Sequence, residues 1–336
     1  MLSLYDVQLG RKIRMDRRRV IGAAAGVVDL ALAPFVLPAS ILLKIIRRTG
    51  LQHFPISRAI LQRVGLIPVT DHYYEPYIDA RALNARSTIQ QRTLPGIDWN
   101  ISEQLRLLQS FTHTAELSYF GNFRTEDRQF QLGNGSFESG DAEYLYQFIR
   151  TKKPRRVIEV GSGHSTLLAR DAISMNARED STYACDHLCI EPFEAPWLEG
   201  LGIKVLRKKV EDVEPSTFQS LQSGDLLFID SSHVIRPQGD VLVEYLQIMP
   251  SLRPGVFVHI HDIFSPRDYL PDWQTKNIWL WNEQYLLEAF LTNNRDWKVI
   301  GALNFLKHQH FSALKMACPF LTEEREPGSI YLQKIA

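Results

Sequence analysis

Cysteine is scarce in this 336-residue sequence, with only Cys185, Cys189 and Cys318 present. Three thiols build no disulfide framework. Cys185 and Cys189 also lack the second pair that a structural zinc site needs. They read as reduced thiols in a cytosolic compartment. Excess charge is lacking too: 38 Lys and Arg balance 38 Asp and Glu. A nucleic-acid binder held by bulk electrostatics is therefore disfavoured. There is no internal repeat and no low-complexity tract. The length exceeds one average domain, so one large domain with appendages is expected.

The N-terminus carries a long hydrophobic run. Arg11, Lys12, Arg14, Arg17, Arg18 and Arg19 form a basic leader. Residues 20–46 follow, apolar apart from Asp29, Ser40 and Lys44, and Arg47 and Arg48 close the run. About 20 apolar residues suffice to cross a bilayer. A signal peptide has a shorter core and a small-residue cleavage site, whereas Ala23–Ala25 lies inside the run. Positive charge on both flanks, with Pro34 and Pro38 between, suggests a broken re-entrant helix pair or an interfacial helix. Residues 1–50 thus read as a leader and membrane-associating segment. Residues 17–50 would make the contact, at the cytoplasmic side. A single span and a hairpin packed on the protein itself are the alternatives.

Residues 51–100 hold Pro55, Pro68, Pro76 and Pro95-Gly96 among aromatics, and read as an extended connector. A helical lead-in over 101–150 follows, with helices predicted from Ile101 and from Asp141 to Ile149 around an Asn134-Gly135 turn. From residue 155 to 336, strands and helices alternate, which predicts a parallel sheet covered on both faces. Strands are expected at 157–160, 188–190, 204–206, 225–229, 256–261, 298–303 and 329–333.

The first strand runs into Gly161-Ser-Gly163 with a helix behind it. Such glycines let backbone approach a ligand, and the helix N-terminus offers free N–H groups. A dinucleotide fingerprint needs a third glycine where Thr166 stands, so a nicotinamide dehydrogenase is disfavoured. Ligands of such sheets sit at the carboxyl ends of the strands. Here those ends carry Gly161 and Gly163, Glu191, Asp230, and His261 with Asp262.

Glu159-x-Gly161-x-Gly163, Ile190-Glu-Pro-Phe193, Asp225–His233, His259–Phe264, Trp281–Tyr285 and Asn134–Asp141 together resemble a bacterial subfamily of class I S-adenosylmethionine (SAM)-dependent methyltransferases. Its members are often tied to polysaccharide or natural-product biosynthesis. The resemblance spans residues 68–335. It implies a Rossmann-like α/β fold with a seven-stranded, mostly parallel sheet whose last strand is antiparallel. It also implies SAM as cofactor. By position, Glu159, Gly161 and Gly163 would shape the methionine end of the cofactor site. Glu191 would accept from the ribose hydroxyls, with Asp186 as competitor if the second strand were Thr182–Cys185. Glu211 and Asp212 would lie near adenine, or form a solvated acidic turn.

Methyl transfer to a hydroxyl needs a base or a metal. Two readings of the strand tips stay open. In one, His261 or His233 is the base beside Asp230, and Asp230 also borders the cofactor. In the other, Asp230, His261 and Asp262 hold a divalent metal, although a histidine suits magnesium poorly. His259 alternates with His261 on one strand face and reads as a hydrogen-bonded core residue. Trp273, Trp279, Trp281 and Tyr285 either wall an acceptor pocket or cover the sheet. The expected activity is O-methylation of a glycan, a lipid-linked sugar or a related small molecule, without a nucleic-acid partner; homo-oligomerisation is left open. The alternatives are a metal-dependent oxygenase relative and a non-catalytic scaffold.

Overall fold

The computed structural model describes residues 4–77, 90–121 and 129–336, and the side chains of the N-terminal helix from residue 25. The chain divides into two compact units, Met1–Asp79 and Ala80–Ala336.

The first unit is dominated by α1, Leu4–Thr49. It is one unbroken helix, so of the two expected forms, a broken pair and an interfacial helix, the broken pair is not the one seen. Pro34 and Pro38 lie inside it. A proline removes one N–H and bends a helix, but it need not end one whose neighbouring bonds survive. The side chains of the basic leader lie outside the described residues. Within Ala25–Thr49 the most apolar window has a mean hydropathy of 2.0, and none of it is buried. At its C-terminal end, Arg47 forks onto both oxygens of Glu75 at 2.5 and 2.9 Å. Lys44 reaches Asp71 at 3.0 Å. Residues 51–100 are not a uniform connector. Pro55 starts α2, Pro55–Val64, and Gly65 caps it in a left-handed conformation. Proline suits a first helical turn, where its missing N–H has no partner to lose. The boundary between the units falls after Asp79, not at 100. Arg92 belongs to the second unit, bonded to both oxygens of Glu288 at 2.6 and 2.5 Å. The connector residues 78–89 lie outside the described part.

In the second unit, α3 (Ile101–Gln109) and α4 (Asp141–Lys152) precede β1 (Arg156–Val160) and α5 (His164–Glu179). Then come β2 (Asp186–Ile190), β3 (Lys204–Leu206), β4 (Leu226–Ile229), β5 (Phe257–His261), α6 (Glu283–Leu291), β6 (Trp297–Ala302), α7 (Leu303–Gln309), α8 (Phe311–Ala317) and β7 (Ser329–Lys334). The sheet order is β3-β2-β1-β4-β5-β7-β6. The four pairings among β1 to β5 are parallel, and β7 runs antiparallel to both β5 and β6. This is the Rossmann-like arrangement with one reversed strand that the sequence predicted.

Two hydrophobic layers sandwich the sheet. Val157, Phe228 and Tyr331 face one layer, with Leu145, Phe148 and Leu168 of α4 and α5. Ile158, Ile229 and Ile260 face the other, with Tyr245, Met249 and Leu287. Burial on both faces explains why the strands read as continuous apolar runs. Strand order reverses between β1 and β4, so the carboxyl ends of these two strands open a crevice.

Candidate active site

The crevice holds two adjoining cavities. One, of about 540 Å³, is lined by residues that include Phe137, Gly161, Glu191, Asp230, His261 and Asp262. The other, of about 430 Å³, shares Gly161, Glu191 and Asp230 and adds Phe193, Glu211 and Arg236.

The floor is built by close backbone approach. Asp230 N–H donates to the Val160 carbonyl at 2.8 Å, and Gly161 N–H donates to Ile190 at 3.0 Å. Gly161 has φ +78, and a Cβ there would strike the Asp230 carbonyl. A Cβ on Gly163 would meet no atom within 4 Å. The two glycines therefore do different work: Gly161 lets β1 and β4 meet, and Gly163 leaves open space at the mouth of α5.

Glu159 does not line either cavity, which corrects its assignment as a cofactor ligand. Alternation turns it under the sheet, where it is buried. There it bonds His187, and it accepts from Thr166 Oγ1 at 2.8 Å. Its place beneath the start of α5 suits a carboxylate and holds the glycine turn from below.

Glu191 is prepared for an external donor. Its Oε1 accepts from the N–H groups of Phe193 and Glu194 at 2.8 and 2.7 Å, and Oε2 from Ser162 at 3.4 Å. Arg207 supports this loop by donating to the carbonyls of Glu191, Glu194 and Ala195. The carboxylate is fixed and retains unused acceptor capacity. Asp186 is no competitor, because it starts β2 at the opposite end and pairs with Lys204 at 2.6 Å. Glu211 lines the second cavity, whereas Asp212 is not among its lining residues.

At the other side, the strand tips gather ionisable groups. Asp230, His233 and Asp262 offer ligand atoms that all lie within 4.8 Å of one another. His233 Nε2 is 3.3 Å from Asp230 and 3.6 Å from Asp262. Its Nδ1 is 2.7 Å from Glu283 of α6. Burial disfavours the charged ring, but bonds to Asp230 and Glu283 win and raise its pKa well above the ordinary value. His233 thus stands as an imidazolium held among three carboxylates. Burial would raise Asp230, yet His261 and His233 hold it below the usual carboxylate range. Burial pushes Asp262 up to about 6 against the pull of the same two rings.

His261 is not part of that converging trio, which corrects the set Asp230, His261 and Asp262. Its Nδ1 is turned to Ser329 Oγ at 3.1 Å, and its Nε2 is 3.6 Å from Asp262 Oδ1. Burial lowers its pKa, but Asp262, Asp230 and Asp141 reverse the sign and raise it. His259 is buried as expected but is not hydrogen-bonded: neither ring nitrogen has a partner. It stacks on Phe228 at 4.3 Å, and burial drives its pKa well down, so it stays neutral.

Trp273, Trp279 and Trp281 wall the larger cavity. Trp279 and Trp281 stack at 4.5 Å, and Trp281 lies 4.4 Å from the His233 ring. Tyr285 is not part of that wall; its hydroxyl meets Asp268 at 3.2 Å. Sequence reasoning missed Glu283, Trp197 and the loop residue Ser136. Glu283 did stand inside a quoted motif, Trp281–Tyr285, and that was its one signal.

Residues 158–263 match a family model described as a methyltransferase domain. The match covers β1 through β5 and so includes every strand end described above. An uncharacterized protein of Archaeoglobus fulgidus is 27% identical over 178 residues, covering 49% of this chain and 79% of that protein. An O-methyltransferase from Bacillus cereus, solved with SAH, is 12% identical at a TM-score of 0.33, covering 69% of this chain and 90% of its own. The MycE methyltransferase of the mycinamycin pathway, solved with Mg and SAH, is 16% identical at 0.36, covering 67% and 55%. At such scores these likenesses carry no argument about activity. The fold follows from the sheet order, and the family match reaches residues 158–263, less than half of the chain.

Proposed function

We propose that the protein is a SAM-dependent O-methyltransferase acting on a neutral, hydroxylated ring such as a sugar, at the cytosolic face of a membrane. One observation carries the reading: a carboxylate fixed by backbone N–H groups and a cluster of proton-exchanging groups face each other across one crevice. Glu191 would hold the ribose hydroxyls. The turn at Gly161 and Gly163 would leave room for the methionine end, and the second cavity, with Phe193 and Glu211, would take the adenine. SAM supplies the methyl group.

His233 is a poor base, because carboxylates engage both of its nitrogens. His261 is the better one, since Nε2 remains on the cavity side when Nδ1 is taken by Ser329. With SAM bound as methyl donor, Nε2 of His261 would take the proton that the acceptor hydroxyl gives up on methylation. Asp230 and Asp262 orient the hydroxyl, and His233 with Glu283 behind it orients them.

With Nε2 of His233 deprotonated, the same trio would fit a divalent cation. Two carboxylates and one imidazole, its other nitrogen braced by Glu283, form a donor set of mixed oxygen and nitrogen that suits manganese or iron better than magnesium. Bound there, such an ion would acidify the acceptor hydroxyl. That donor set is also the one feature favouring the oxygenase reading, and metal analysis beside a methyl-transfer assay separates the two.

The acceptor class rests on the cavity wall. Four tryptophans, Trp197, Trp273, Trp279 and Trp281, line it, while no lysine or arginine stands among its described lining residues. A phosphate or uronate group would meet Glu191, Asp230 and Asp262 with no lysine or arginine beside them; an uncharged sugar face would stack on the indoles. The membrane reading rests on α1 of the first unit. Its apolar side chains are exposed, Leu30 at 78% and Phe35 at 72%, and Tyr73 and Tyr74 stand out near its basic end at 91% and 86%. Aromatics and basic residues at one end of an apolar helix fit a membrane interface. The test is transfer of labelled methyl from SAM to lipid-linked and free neutral glycosides by the full chain and by Asp230→Ala. Labelling by the full chain, and its loss in a variant that still binds SAM, is expected. Equal labelling by both would end the proposal.

A further inference from the structure

Behind the catalytic face, Asp141, Ser329 and His261 form a chain of hydrogen bonds that no step above uses. Asp141 is the first residue of α4 and is 2% exposed. Its Oδ1 lies 2.6 Å from Ser329 Oγ and 3.0 Å from the Gly328 N–H. Ser329 opens β7 directly opposite His261 of β5, and its Oγ lies 3.1 Å from His261 Nδ1.

The direction of these bonds is fixed by counting protons. Both partners of Asp141 are donors, so its carboxylate only accepts. Ser329 has one hydroxyl proton, and the shorter bond, to Asp141 Oδ1, takes it. The Ser329 oxygen then has only lone pairs to offer His261. Nδ1 of His261 must therefore carry a hydrogen, whether the ring is neutral or charged. The neutral ring has no second hydrogen, so its lone pair lies on Nε2, at the cavity. The Phe137 ring, 4.9 Å from the imidazole, packs against it.

We infer that Asp141 and Ser329 are positioning residues that set the tautomer and orientation of His261 as the base. This rests on the methyltransferase reading for its role in turnover, though not for its geometry. Neither residue is among the residues lining the two cavities. An aspartate held behind a histidine by an intervening hydroxyl does what a directly bonded carboxylate does in other base–orienter pairs. The difference is that this brace reaches the base from a neighbouring, antiparallel strand.

The test combines a spectroscopic and a kinetic readout on the full chain. In protein labelled with ¹⁵N-histidine, the His261 signal is assigned by its absence in His261→Gln. A hydrogen-bonded Nδ1–H is expected in the parent protein and in Ser329→Thr. In Ser329→Ala it should be lost or shared with the Nε2–H form. Should Ser329→Ala fail to fold, Asp141→Asn is read instead, with the Nδ1–H signal moving upfield as the acceptor chain weakens. A parent protein whose His261 carries hydrogen on Nε2 alone, or an unchanged signal in the folded variants, overturns the inference.

Turnover is then measured with the neutral glycoside that the parent methylates. Ser329→Ala should lower kcat about 10- to 100-fold, the usual cost of removing such an outer partner, with KM for SAM unchanged. In a His261→Gln background the same change should cost nothing further, since an effect transmitted through His261 has no carrier left. A further loss there identifies a merely structural role and overturns the inference. Failure of the parent to bind SAM in calorimetry would instead strike the methyltransferase reading, leaving the tautomer result to stand on its own.

Discussion

Glu191→Gln replaces one oxygen of the proposed ribose anchor by an NH2 group and leaves the shape alone. The retained amide oxygen can keep the bonds to the Phe193 and Glu194 N–H groups, at 2.8 and 2.7 Å in the parent, so the loop need not move. The other position changes sign. Oε2 now accepts from Ser162 N–H at 3.4 Å. An NH2 there would face a donor, and it could not accept from a ribose hydroxyl. Losing one hydrogen bond to a charged acceptor costs about 1.5–3 kcal/mol. At about 1.4 kcal/mol per factor of ten, SAM binding should weaken roughly 10- to 150-fold. Isothermal titration with SAM and with its demethylated product gives the number directly, and a parallel thermal melt checks the fold. The product should weaken by the same factor, because the methyl group is remote from the ribose. A folded variant that binds both within threefold of the parent refutes the assignment of Glu191.

Three other variants test separate parts of the structure. Gly161→Ala combines a left-handed backbone position with a collision against the Asp230 carbonyl. It should destabilise by about 2–4 kcal/mol and abolish SAM binding; a normal melting curve would count against the close strand approach. Arg150, fully buried, holds Glu116 by paired bonds at 2.8 Å. Burial alone would raise the Glu116 pKa, but Arg150 and Tyr146 bring it to about 2. A depressed carboxyl stabilises above its unfolded pKa and loses that contribution as pH falls. Urea unfolding should therefore show stability dropping between about pH 4.5 and 2, with a shallower drop in Glu116→Gln. Leu30→Lys, Phe35→Lys and Leu37→Lys together should shift the full chain from the membrane to the soluble fraction on sedimentation; unchanged partitioning removes the role of α1.

The sheet was legible because it is buried on both faces. Its strands are short apolar runs bounded by turn residues, and β1, β2, β4 and β5 run into Gly161, Glu191, Asp230 and Asp262. Glu191, Asp230 and Asp262 were found by that logic alone. The break expected in α1 was misread for a local reason. Proline statistics describe helix interiors where packing decides, and this helix has no described side chain packed over its most apolar window. Pro55 misled in the opposite direction, since the residue that looked like loop punctuation opens α2.

The site was only half legible, and backbone geometry accounts for the other half. His261 lies on a regular strand, so alternation sends its ring to the same side as His259 and toward Ser329. Beyond the strand tips the alternation stops. Asp262 has φ 55 and His233 has φ 59, left-handed values that non-glycine residues seldom adopt. These two turns swing His233 between Asp230 and Asp262, and put it where strand logic had placed His261. Nothing in a single sequence announces a positive φ at histidine or aspartate. Nor does it announce that Glu283, 50 positions from His233, supplies the brace. The strained turns are held by that brace: Asn282 and Glu283 both donate backbone N–H to the His233 carbonyl, at 3.0 and 3.2 Å. The start of α6 thus grips His233 by ring and backbone together. Strain at a turn persists only where its surroundings over-determine it, and here the surroundings are the same groups that set the charge of the site.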